Sequence, residues 1–133
     1  DLEIVEKTRG NITYQELGSR WSGNKHLWWT NAKVGDRLKL RFELDEKAEY
    51  NLYGKFTKAI DYGVFQLYLD GKKIYQPLDL YNNGVVPTEE ILLSTTELDK
   101  GGHTLTVEIT GANEKAVKSF MFGLDYIKAE TVD

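Results

Sequence analysis

The residues of this chain best suited to chemistry are aromatic rings set among amides and carboxylates. All three tryptophans fall within one short stretch, Trp21-Ser22-Gly23-Asn24-Lys25-His26-Leu27-Trp28-Trp29. Two more aromatic–polar runs follow, Asp61-Tyr62-Gly63 and Asp79-Leu80-Tyr81-Asn82-Asn83, and Asn113-Glu114 lies in a late loop between Gly111 and Lys115. An aromatic ring can cover the apolar face of a flat ligand such as a sugar, and nearby amides and acids then read its hydroxyls. Rigid aromatics lose little side-chain entropy in doing so. Each run also has a plain structural reading. Aromatics are more often buried than exposed, and Asp, Asn and Gly are selected in turns for backbone shape.

Other chemistries are poorly served. The absence of cysteine removes disulfides, thiolate metal sites and cysteine nucleophiles, without fixing a compartment. His26 has no His, Cys or paired carboxylate at ligand spacing, so zinc is not expected. His103 follows Gly102 at a strand start and reads as a satisfied, turn-flanking histidine. Asp61, Asp79, Glu89, Glu90 and Asp125 could supply two carboxylates for glycoside hydrolysis, but no spacing in the sequence pairs them. There is no G-x-S-x-G, no H-E-x-x-H and no phosphate loop. The net charge is −4 with the basic residues scattered, which gives nucleic acid no basic stripe to follow. No apolar run approaches the roughly 20 residues of a membrane helix. Neither nucleic acid nor a membrane is an expected partner, and the chain is not expected to be an enzyme.

The elements that must position these residues read as strands. Arg37 to Leu44 alternates cleanly, with Leu38, Leu40, Phe42 and Leu44 on one face and Arg37, Lys39, Arg41 and Glu43 on the other. That is period two, with one face buried and one wet. Tyr50 to Thr57 and His103 to Thr110 follow suit, as do the shorter runs Leu2 to Glu6 and Ile12 to Leu17. Val64 to Leu69 reads as an almost continuous apolar strand, Leu27 to Thr30 as a short aromatic one and Ser119 to Ala129 as the closing strand. Asp70-Gly71 between Leu69 and Ile74-Tyr75 predicts a hairpin, because both turn positions tolerate positive φ. Pro77, Asn82-Asn83-Gly84 and Pro87 mark an irregular crossing, and Thr88 to Ser94 is read as a strand. No segment carries convincing 3.6-residue periodicity. Eight to ten short strands in 133 residues predict one all-β domain spanning 1–133, an antiparallel β-sandwich or barrel. Asp1 in place of Met, with no apolar leader, predicts a mature form or a piece of a larger protein.

Strand geometry also divides the tryptophans. Trp28 and Trp29 must point to opposite faces. Trp29 shares a face with Leu27 and is the core candidate. Trp28 shares one with His26 and is open between exposed platform and loop-covered residue. Trp21 precedes the turn, at a loop tip or sandwich edge, as a candidate for ligand contact or edge packing.

The ordered set Asp61-Tyr62-Gly63, Leu69-Asp70-Gly71, Gly102-His103-Thr104-Leu105-Thr106 and Gly123-Leu124-Asp125-Tyr126-Ile127 resembles the galactose-binding-like jelly roll. In particular it resembles the carbohydrate-binding modules of families 6 and 35, appended to secreted bacterial polysaccharide-degrading enzymes. The resemblance spans about Arg37 to Ala129. It implies a jelly-roll sandwich without catalysis of its own, a parent catalytic domain as partner, and a secreted or periplasmic location. It also implies a glycan held by loops at one end, clamped between two aromatics with a late-loop asparagine. Trp21, Tyr62, Tyr81 and Asn113 are the residues that match that role, joined by Trp28, Asp61 and Asn82 from the loop readings above. Such modules often carry a structural calcium between first and closing strands. Asp125 stands in the closing strand, but Glu3-Ile4-Val5-Glu6 departs from the usual acidic-x-acidic spacing, so no cofactor is expected. The expected function is a non-catalytic carbohydrate-binding module. The alternatives are a structural or interaction sandwich packed on a catalytic domain and, less favoured, a small glycosidase.

Overall fold

The computed structural model describes residues 3–132. Two antiparallel sheets face each other. One runs in the order β1 (Glu3–Lys7), β4 (Arg37–Leu44), β10 (Gly101–Gly111), β6 (Val64–Leu69) and β7 (Lys72–Asp79). The other runs β2 (Asn11–Glu16), β3 (Lys25–Thr30), β11 (Phe122–Thr131) and β5 (Ala48–Lys58). The outer edge of β5 is shared by β8 (Val86–Pro87) and β9 (Ile91–Leu98). The described residues contain no α-helix, only a 3-10 turn at Ser22–Asn24.

The alternation expected in β4, β5 and β10 helps to close the sandwich. Leu38, Leu40, Leu105, Val107 and Ile109 from the first sheet meet Phe56, Phe122 and Leu124 from the second, all essentially without solvent contact. Each such side chain contributes about 1.5–3 kcal/mol by leaving water. Phe122 sits between Phe56 and Phe65, at ring-centroid distances of 5.9 and 4.9 Å. Trp29 is wholly buried in this core, as its face predicts, and its indole N–H donates to the Arg9 carbonyl at 2.9 Å. A second cluster of Phe42, Tyr50, Leu52, Leu69 and Leu98 fills one end.

Several boundaries differ from those read in the sequence. Pro77 does not end a strand, because β7 lies at a sheet edge where the missing N–H is not needed. The strand expected at Thr88 begins at Ile91. Thr88 instead exchanges bonds with Phe56, its N–H donating to the Phe56 carbonyl and its Oγ1 accepting the Phe56 N–H. The closing strand begins at Phe122 because Phe120 takes a positive φ of 52°. Asp70-Gly71 forms the predicted hairpin with φ of 50° and 83°. Leu2 lies outside the described residues.

This topology sorts the connections by end. Segments 8–10, 31–36, 59–63, 80–85 and 112–121 gather at one end, and 45–47, 70–71 and 99–100 gather at the other.

Candidate functional site

The 59–63 segment is the middle of the loop end, stitched by backbone bonds to its neighbours on both sides. Toward 80–82, the Ala59 N–H donates to the Leu80 carbonyl and the Asn82 N–H to the Ala59 carbonyl, each at 3.1 Å. Toward 117–121, the Val117 N–H donates to the Ile60 carbonyl at 2.9 Å and the Met121 N–H to the Asp61 carbonyl at 3.1 Å. The two outer loops then meet through side chains. Asn113 Nδ2 donates to Asp79 Oδ2 at 2.8 Å, while the other Asp79 oxygen accepts the Tyr81 N–H at 3.0 Å. Asp61, Tyr81, Asn82 and Asn113 are thus brought to one end, all half-buried. Their rings and amides keep accessible surface but have fixed backbones.

A cavity of about 540 Å³ lies at the same end on the 117–121 side of 59–63, lined by Asn31, Lys33, Val34, Lys118, Phe120 and Met121 among others, and none of Asp61, Tyr81, Asn82 or Asn113 lines it. Lys118 ties it to the Asn113 loop, because its Nζ donates to the carbonyls of Asn113, Glu114 and Ala116 at 3.0, 3.1 and 2.9 Å. Exposed Val34, Ile60 and Val117 add apolar surface. Sequence reasoning missed Val34, Lys118, Phe120 and Met121. Only the topology, and no local pattern, brings them to the loop end, on the other side of 59–63 from Tyr81.

Tyr62 belongs to the same loop but turns inward, 3% exposed and packed in the main core. Burial first, and then the Asp61 charge, push its hydroxyl well above the ordinary tyrosine range. The expectation that its ring offers itself to a ligand is not met by this placement.

The tryptophans reach the loop end only indirectly, Trp29 through the Arg9 carbonyl and Trp21 through Arg20, whose guanidinium donates to the Val85 carbonyl at 3.1 Å. Trp21, expected at a loop tip or sandwich edge, is 3% exposed. Segment 17–24 folds back over the second sheet, and the Trp21 N–H donates to Thr57 Oγ1 at 2.8 Å. A tryptophan can be buried at little cost only when its N–H finds such an acceptor. Arg20 covers the outer ring face, 5.2 Å from the centroid. Trp21 therefore offers no stacking platform in this arrangement. Trp28 is half-buried against the core, and its N–H has no hydrogen-bond partner among the described residues. His26 lies beneath Trp21, bonded through Nδ1 to Thr57 Oγ1 at 2.8 Å and through Nε2 to Gln15 Oε1 at 2.9 Å. Gly123 makes room for it, since a Cβ there would strike the His26 ring.

The acids among the described residues do not converge on a calcium ion. Glu6 is on the first sheet, 3.6 Å from Lys39 Nζ, whereas Asp125 is on the second and receives the Ser22 N–H. Among the described residues no group of three His, Cys, Asp or Glu converges as a metal site would.

The fold is shared with solved structures at low sequence identity. A xanthan lyase from Paenibacillus matches over 98% of this chain with a TM-score of 0.85 and 18% identity. A family 35 carbohydrate-binding module from an environmental isolate matches over 98% with a TM-score of 0.60 and 12% identity, and 88% of that chain is covered. A family 6 module from Cellvibrio mixtus lichenase 5A, solved with cellotriose, matches over 98% of this chain and 92% of its own, at 0.57 and 9%. The chain spans 12% of the lyase. No family model and no curated protein matches the sequence. The architecture is the β-sandwich of these modules, as the sequence resemblance implies.

Proposed function

We propose that this chain is a non-catalytic carbohydrate-binding module of a larger secreted or periplasmic glycan-degrading protein, and that it takes its glycan at the loop end. One observation carries the reading. Three segments far apart in sequence deliver Asp61, Tyr81, Asn82 and Asn113 to one end of a sandwich of this type, the end where a cavity walled in part by Val34, Phe120 and Met121 also opens. Tyr81 supplies a ring face for sugar C–H groups on one side of 59–63, and Phe120 supplies another on the cavity side. Asn113, Asp79 and Asn82 supply the donors and acceptors that hydroxyls need. A module of this kind raises the local substrate concentration of a tethered catalytic domain and needs no catalytic group.

The test is titration calorimetry against a panel of plant and microbial oligosaccharides, with a glycan array to widen it. Tyr81→Ala and Asn113→Ala should each weaken the binding found by about tenfold or more, the equivalent of about 1.4 kcal/mol, with thermal melting confirming that each variant still folds. Binding that survives both substitutions, or no binding to any glycan, would sink the proposal.

A second reading has its own support. A sandwich that packs on a catalytic domain and binds nothing itself should bury its tryptophans. Trp21 is buried, and Trp28 packs on the core. Silence across the glycan panel favours this second reading.

A further inference from the structure

Strands β7 and β9 are edges of different sheets, and between them lies a groove of about 390 Å³ at the end opposite the loops. Residues directly opposite each other in an antiparallel pair share a face. Lys72 pairs with Leu69, Ser94 with Leu52 and Thr96 with Tyr50, and those three partners are buried core residues. Lys72, Ser94 and Thr96 therefore sit on the interior register, where the other strands carry apolar side chains. None of the three makes a side-chain hydrogen bond or ion pair with the described residues. Unpartnered polar groups on a core-facing register break the binary pattern, and such breaks are expected at functional positions.

The closed end of the groove is built more firmly. His103 bonds Asp70 Oδ2 through Nδ1 at 2.6 Å and the Asp99 carbonyl through Nε2 at 2.7 Å, while the Thr104 N–H donates to Asp70 Oδ1 at 2.8 Å. These bonds fix the Asp70 carboxylate at the groove and leave each oxygen a lone pair to spare. Ile74 and Leu98 form an apolar wall.

We propose that this groove is a second binding site, for one neutral, hydroxyl-rich sugar residue. Lys72, Ser94 and Thr96 donate and Asp70 accepts, the combination a vicinal diol needs, while ring C–H groups lie on Ile74 and Leu98. The acids Asp70, Glu97 and Asp99 around the groove offset Lys72 and Lys73, so no net positive field selects an anion. The volume lies at the lower end of the roughly 300–1,000 Å³ of small-ligand pockets. The site is separate from the loop end and does not rest on the reading given to that end.

Amide NMR of the full chain, titrated with glucose, galactose, mannose, xylose and cellotriose, reads both ends at once. Saturable shifts at Asp70, Lys72, Ser94 and Thr96 are expected. They should disappear in Thr96→Val and in Lys72→Met, while any shifts at Tyr81 and Asn113 persist. Thermal melting checks that each variant folds, and Ser94→Ala serves as the milder change. The proposal is overturned by unshifted groove amides with every sugar, or by groove shifts that survive the substitutions. Groove shifts seen only with glucuronate or sulfate and abolished by salt also overturn it. So do shifts that grow with protein concentration alone, which would mean a second copy pairing on the strand edge. Loop-end shifts without groove shifts would overturn this proposal and leave the loop-end reading standing; the converse would do the reverse.

Discussion

Thr57 Oγ1 accepts the Trp21 N–H and bonds His26 Nδ1, while His26 Nε2 bonds Gln15 Oε1. Burial keeps this imidazole neutral at pH 7. Burial lowers its pKa from 6.5 to about 4. His103 is the opposite case, because a carboxylate and a carbonyl face its two nitrogens and both must donate. Burial opposes the charge most strongly of any single influence, but the Asp70 and Asp99 contacts together outweigh it and raise the pKa. The two groups bend stability in opposite directions with pH. Below 6.5 the unfolded chain protonates His26 and the folded one does not, so stability falls between 6.5 and about 4, by up to about 3 kcal/mol. The His103 contribution is complete below its unfolded pKa and is lost as pH rises through its folded value. Urea unfolding of wild type and His26→Gln at several pH values should show a lower stability for the variant at pH 7 and a shallower decline below 6.5. Equal slopes would remove His26 from the account. Neither state was legible in the sequence, nor was the burial of Trp21. Thr57, which decides both, lies 31 residues from His26 and 36 from Trp21.

Strands were far more legible than single residues, because alternation is written locally. Leu38, Leu40 and Phe42 on β4, and Leu105, Val107 and Ile109 on β10, took the face their spacing gave them. What alternation does not encode is a bulge. On β7 the pairing slips between the partners of Phe65 and Leu67, where Tyr75 adopts a φ of 58°. A non-glycine residue in that region is strained and must be held. Buried Gln66 holds it, with Nε2 reaching the carbonyls of Leu67, Ile74 and Tyr75 at 3.2, 3.0 and 3.1 Å. A glutamine flanked by Phe65 and Leu67 has no sequence signal for that task. Gln66→Leu should cost about 1–3 kcal/mol, the penalty for leaving buried carbonyls unpaired, and Tyr75→Gly should recover part of it by relieving the backbone. Denaturant midpoints of the single and double variants measure this, and a double variant no better than Gln66→Leu alone would separate the bulge from the glutamine.

At the scale of the molecule, the loop end exists only because the chain order carries distant turns to one place. Asp79 and Asn113 are 34 residues apart and 2.8 Å in space. The aromatic–polar composition of those loops was visible in the sequence, their convergence was a matter of family resemblance, and the cavity wall of Phe120 and Met121 was not visible at all. Convergence also needs rigidity, since a loop ordered only on binding spends part of its contact energy on that ordering. Segment 112–121 crosses the whole end, and its ten residues include no strand pairing before Met121. Lys118 compensates by drawing three carbonyls of its own loop around one ammonium. Because the side chain is exposed, those charge-assisted bonds should be worth only about 1–2 kcal/mol in total. Lys118→Met keeps the aliphatic stem and deletes the donors. It should leave the core strands as slow to exchange amide hydrogens as before, while residues 113–118 exchange faster. Glycan affinity should fall several-fold although Lys118 need not touch the sugar, and Lys118→Arg should restore part of it. Unchanged exchange in 113–118 would mean that the loop is held by its backbone bonds to Ile60 and Asp61 instead.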